Sequence, residues 1–139
     1  MLTRAVFALV LVLGLAASAA AEEVTVLALG LADHEVGQEE LEEGTAPPVP
    51  RFNSPGVAYV LAADLKKGDV VEITLVKDGK PLLRNSETLA EDREQHLLQA
   101  GKSGVPAGGW PEGKYQAIVK MTRDGKTLVE KESAPIPFE

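Results

Sequence analysis

The phrase Asp78-Gly79-Lys80-Pro81-Leu82-Leu83 returns further along the chain as Asp124-Gly125-Lys126-Thr127-Leu128-Val129. Each copy follows a stretch in which every second residue is apolar. Val71, Ile73 and Leu75 precede the first copy, and Tyr115, Ala117, Val119 and Met121 precede the second. Successive side chains leave a strand on opposite sides, so this alternation predicts strands with one buried face. Asp-Gly then supplies the positive φ angles of a two-residue hairpin turn, which glycine adopts without steric cost. The repeat is therefore one of scaffold: two strand–turn–strand units. Two hairpins that each bury one face need an opposing layer, and that predicts an all-β fold of two packed antiparallel sheets.

The remaining segments extend the pattern. Val24 to Leu31 and Val57 to Ala62 are apolar runs of strand length. Pro81 cannot donate to a ladder, which puts the first return strand at a sheet edge or has it pair outward there. Thr88-Leu89-Ala90-Glu91 has the spacing of a capping box and predicts a short helix over 89–95. His96 to Ala100 either ends that helix or forms another strand. Residues 103–113, rich in Gly and Pro, read as a loop. The sum is one antiparallel β-sandwich of roughly seven strands over residues 22–139.

Residues 1–21 read differently. Arg4 is followed by an apolar run from Ala5 to Ala17 and then by Ala19-Ala20-Ala21, the arrangement of a secretory signal peptide cleaved after Ala21. The run is shorter than the ~20 residues a spanning helix needs, so no stable membrane anchor is expected after cleavage. The absence of cysteine excludes disulfides and a lipid-anchored lipoprotein. Losing Arg4 reduces 14 Lys and Arg to 13, against 21 Asp and Glu, a net charge of −8. So acidic a surface repels phosphate, which argues against nucleic acid and anionic lipid as partners. A bacterial periplasm or the cell exterior is the expected location.

Residues 32–56 form a long arm between two strands, acidic at first and then rich in proline. Connections of this length are commonly functional or disordered. Asp33, His34, Glu35 and Glu39 offer oxygen and imidazole ligands for weak binding of a divalent cation. Glu39, Glu40, Glu42 and Glu43 offer a docking surface for an envelope or secreted protein with a basic face. Only Val36 and Leu41 are apolar between residues 33 and 43, and the segment is expected to be mobile until a partner orders it. No other cofactor is implied. The chain has no Gly-x-Ser-x-Gly elbow, no His-Glu-x-x-His pair and no EF-hand spacing, so no enzymatic activity is expected.

Trp110-Pro111-Glu112-Gly113-Lys114-Tyr115-Gln116-Ala117 resembles the opening of the penultimate strand in immunoglobulin-like and fibronectin type III-like β-sandwich domains. Those domains begin this strand with a Gly-x-Tyr step and close with a final hairpin. The resemblance is best over residues 110–132 and extends loosely over 57–138. It implies that the Tyr115 hydroxyl bonds back to the upstream backbone as a tyrosine corner. Ala117 stands where antibody-type domains have the second cysteine. Trp110 is expected to plug the end of the core beside Tyr115. The expected function is that of an exported, non-enzymatic binding or accessory module acting through protein contacts. The alternative is a cation-binding or sensory protein built on residues 33–43.

Overall fold

A computed structural model describes residues 24–102 and 104–139. The signal peptide expected over residues 1–21 lies outside the described residues. Among them are seven strands, β1 (Thr25–Ala32), β2 (Gly56–Leu65), β3 (Val70–Lys77), β4 (Lys80–Thr88), β5 (Arg93–Lys102), β6 (Tyr115–Arg123) and β7 (Lys126–Glu132). A single helical turn and a half, α1 (Gln38–Glu42), lies in the arm between β1 and β2. The strands form two antiparallel sheets, one ordered β1-β2-β5 and the other β4-β3-β6-β7. No helix among the described residues is long and apolar enough to cross a membrane.

The alternating residues meet between the sheets. Ile73, Leu75, Tyr115, Ala117, Val119 and Met121 have no exposed surface, and Val71 has almost none. Ala58, Val60 and Ala62 of β2 and Leu98 and Ala100 of β5 face them from the other sheet. Fully burying one such aliphatic side chain contributes roughly 1.5–3 kcal/mol relative to leaving it exposed.

Both Asp-Gly pairs take left-handed angles, with φ of 49° and 80° at Asp78 and Gly79 and of 52° and 80° at Asp124 and Gly125. Positive φ at both central residues is the signature of a type I′ hairpin turn. The repeat goes one step further than the turn. The register slips between Leu75 and Val76 opposite β4, and between Met121 and Thr122 opposite β7. In both hairpins the unpaired extra residue is the leucine four places after the aspartate, Leu82 or Leu128. The repeated phrase thus specifies a turn and the β-bulge behind it, and a bulge bends and twists its strand.

The short helix over residues 89–95 is not formed. Residues 90–91 make a bend, and Arg93 begins β5, which runs antiparallel to β2. The physical reason lies in the backbone of Leu89. Its N–H donates to the Asp69 carbonyl, and its own carbonyl accepts from Gly68. Both groups are committed to the neighbouring turn, and the Leu89 side chain is buried in the main core. A capping-box spacing is a local preference that these tertiary bonds override.

That turn is organised by Asp69, a carboxylate with no exposed surface. Its oxygens accept from Arg123 Nε at 2.7 Å, from Arg123 Nη2 at 2.9 Å and from the Lys66 N–H at 2.8 Å. Burial on its own pushes the Asp69 carboxyl up. The Arg123 guanidinium and the Lys66 amide outweigh it and hold the group below its ordinary value of 3.8.

Candidate functional site

The acidic arm lies on the outer face of the three-stranded sheet. β2 explains why it can. Its inward residues are Ala58, Val60 and Ala62, yet Val57, Tyr59 and Leu61 on the opposite face are buried as well. Tyr59 forms a second, smaller core with Ala32 and Val36, and Ala28, Leu41 and Leu97 pack against it. The two apolar residues of the acidic stretch are thus the two that seat it. Opposite Tyr59 in β1 stands Gly30, where a Cβ atom would come within 2.8 Å of the tyrosine hydroxyl oxygen. The absence of a side chain there lets the ring lie across the strand.

Two glutamines of β5 clasp the arm. Gln99 accepts from the Val36 N–H at 2.8 Å and donates to the Val36 carbonyl at 3.0 Å. Gln38 donates to Gln95 and to Glu42, each at 3.0 Å. Neither glutamine stands out in the sequence. The usable signal was Val57 to Ala62, which is apolar on both faces. A half-buried strand alternates, whereas a strand covered on both sides does not.

The structure brings together three of the predicted arm residues. His34 Nδ1 lies 2.7 Å from Asp33 Oδ1, and Nε2 lies 2.9 and 3.0 Å from the two Glu40 oxygens. Hydrogen bonds to Asp33 first and Glu40 second hold the His34 pKa above 6.5. A charged imidazolium donates from both nitrogens, so this arrangement suits a proton. Glu35 and Glu39, the other two candidate metal ligands, are exposed, and neither carboxylate bonds to His34. Among the described residues, no group of three or more His, Asp or Glu side chains is arranged to hold a metal ion. Of the four glutamates assigned to partner binding, Glu39, Glu42 and Glu43 are exposed, while Glu40 is partly covered beside His34.

A concavity lies at the end of the sandwich, where the arm returns to β2. Trp110 is buried, edge-on to Tyr115 at 5.8 Å and to Phe138 at 5.4 Å. Tyr115 and Phe138 stack at 3.9 Å with their planes 7° apart. The Trp110 indole donates to the Ser54 carbonyl at 2.8 Å, and the Tyr115 hydroxyl donates to the Pro111 carbonyl at 2.5 Å. The tyrosine corner and the tryptophan plug are both present. A cavity of about 510 Å³ opens beside them, lined by Phe52, Trp110 and Phe138 together with Lys114 and Glu112. The other histidine, His96, pairs with Glu87 at 3.1 Å and does not line this cavity.

A scan against models of protein families finds no match for this chain, and no curated protein matches it in sequence.

Proposed function

We propose that this chain is an exported, non-enzymatic accessory module with an immunoglobulin-like or fibronectin type III-like sandwich, which binds a basic protein through its acidic arm. One observation carries the reading. Glu35, Glu39, Glu42 and Glu43 stand exposed on a segment that the sheet itself holds in place. Across the described residues, no Lys or Arg forms an ion pair with any of them. A fixed row of unneutralised carboxylates attracts and orients a cationic surface, and raises the rate of encounter with it. The family resemblance is supported by the Tyr115 corner. It is supported also by the division of strands: β1, β2 and β5 share one sheet and β3, β6 and β7 the other, as in constant-type immunoglobulin domains, and β4 departs from that pattern by pairing with β3.

The leader-like residues 1–21 support export, and the periplasm or cell exterior is the proposed setting. The test is capture of partners from the cell's own envelope extract on the immobilised protein. The partner should elute as salt rises and should be lost with Glu39→Gln/Glu42→Gln/Glu43→Gln, while Trp110 fluorescence stays that of the folded protein. Retention of the same partner by the triple variant would end this reading.

A further inference from the structure

The connection between β1 and β2 is fixed at both ends and lightly held between them. Ala32, the last residue of β1, has no exposed surface. On the other side Pro50 is buried, the Phe52 carbonyl accepts from the Trp110 N–H at 2.7 Å, and the Ser54 carbonyl accepts from the Trp110 indole at 2.8 Å. The two ends meet in a neck, where the Asp33 N–H donates to the Pro48 carbonyl at 3.1 Å and Pro47 is buried. Residues 34–46 therefore leave and re-enter the fold at one place, which is the form of an Ω-loop.

This loop has few holds on the sheet. Val36 alone among residues 34–46 is buried, and Leu41 is half-buried. Neither belongs to the core between the sheets. Among the described residues, the hydrogen bonds from sheet to loop come from two side chains of β5, Gln99 at Val36 and Gln95 at Gln38. Other bonds of the loop stay within it: His34 bonds Asp33 and Glu40, Gln38 bonds Glu42, and the Gly44 N–H donates to the Leu41 carbonyl at 3.1 Å. Nor does the loop lie flush with the strands. A groove of about 260 Å³ separates Leu41 and Pro47 from Leu27, Ala28, Leu29 and Tyr59. A close-packed core leaves few voids larger than a water molecule, and segments with few buried apolar contacts open at far lower cost than a core does. Gln99, by contrast, is fixed without the loop. It lies in β5 opposite Tyr59, and its carbonyl accepts from the Asn85 side chain at 2.9 Å.

We propose that residues 34–46 form a lid that opens from its neck while the sandwich stays folded, and that the closed lid shields an apolar strip on the outer face of the three-stranded sheet. The strip is Ala28, Ala32, Tyr59 and Leu97, which cluster with Val36 and Leu41 in the closed form. Opening replaces those contacts with water, so burial of the strip is what closes the lid. The device follows from how the loop is attached and does not depend on its charge or on the partner proposed for its exposed glutamates.

The test is native-state hydrogen exchange followed by NMR. A helix as short as α1 does not persist once the sheet releases it. The amides of Val36, Leu41, Glu43 and Gly44 should therefore exchange through one shared opening, with protection well below that of Ile73 in β3 and Val119 in β6. Gln99→Ala removes both hydrogen bonds to Val36 and should speed exchange of all these loop amides about tenfold, leaving Ile73 and Val119 unchanged. Gln38→Ala, at an exposed position, should do the same to a smaller degree. Nitration by tetranitromethane supplies a separate readout, because the chain has two tyrosines and both are buried. Gln99→Ala should speed modification of Tyr59 and leave Tyr115, in the main core, unreactive. Loop amides as protected as Ile73 and Val119 would overturn the proposal, since the loop would then open only with the whole domain. A Gln99→Ala effect confined to the Val36 amide would overturn it too, because the segment would then fray residue by residue.

Discussion

The two hairpins begin from the same phrase and are held in the sandwich by different residues. In the β3–β4 hairpin the aspartate of the turn is the anchor. The Asp78 N–H donates to the Lys114 carbonyl at 2.8 Å, Asp78 Oδ1 accepts from the Lys114 N–H at 2.9 Å, and Lys77 Nζ reaches Oδ2 at 3.0 Å. The turn is thereby fastened to the residue before Tyr115. In the β6–β7 hairpin no such contact holds Asp124 among the described residues. There the residue before the turn, Arg123, crosses to the buried Asp69 and fixes the far end of the molecule. Turn shape is thus a local property of Asp-Gly, and attachment is a property of what each hairpin meets.

The largest effect expected from separating the two is at Arg123. Arg123→Ala leaves the Asp69 carboxylate buried with one partner amide, and an uncompensated buried charge costs about 3–5 kcal/mol. Chemical denaturation should show that loss, and the Lys77→Ala variant of the first hairpin should show far less. The same pair sets a dependence on pH. The Asp69 pKa is lowered by folding, so its contribution is complete above the unfolded value near 3.8 and is lost as pH falls through the folded one. The difference between wild type and Arg123→Ala should narrow in acid. A gap that stays constant down to complete protonation would remove Asp69 from the account.

A middle-sized effect tests whether the turns are equivalent. A Cβ at Gly79 or Gly125 meets nothing within 4 Å, so alanine there costs only the left-handed backbone, about 1–2 kcal/mol. Gly79→Ala and Gly125→Ala should destabilise equally. Unequal losses would mean that the attachment at Lys114 reaches into the turn itself.

The smallest effect distinguishes the aspartates. Asparagine also suits a type I′ turn, so Asp124→Asn should leave the thermal midpoint unchanged, and Asp78→Asn should lower it slightly. The Lys114 N–H first and Lys77 second hold the Asp78 carboxyl below its ordinary value. Its carboxyl carbon should therefore titrate below the ordinary value of 3.8 when followed by NMR. A midpoint at that ordinary value would mean that the Lys114 bond does not persist in solution.

The same division between local and tertiary causes decides what could be read from the chain. Strands β3 and β6 were legible because Val71, Ile73 and Leu75, and Tyr115 through Met121, alternate against water on one side. The turns were legible because Asp-Gly permits few other shapes. Strand β5 was not. Its outward residues Gln95, Leu97 and Gln99 bind the arm, so the polar face that would have declared a strand is mixed, and a spurious capping box lay just ahead of it. The arm was recognised as unusual, and Val36 and Leu41 as its only apolar residues. What went unseen was the outer face of Tyr59 waiting to receive them. Of the candidate site, Asp33, His34 and Glu40 converge, whereas no spacing rule brings Glu35 or Glu39 to the imidazole.

The stacking of Phe138 on Tyr115 has a consequence in time. A chain leaves the ribosome from its N-terminus, and this aromatic layer joins the arm near Ser54, the loop at Trp110 and a ring at residue 138. The nascent polypeptide can form its hairpins as each emerges, yet the end of the sandwich stays open until translation has passed residue 138. Closure therefore comes after the hairpins, and the interval before it leaves an unfinished molecule accessible to whatever receives nascent chains.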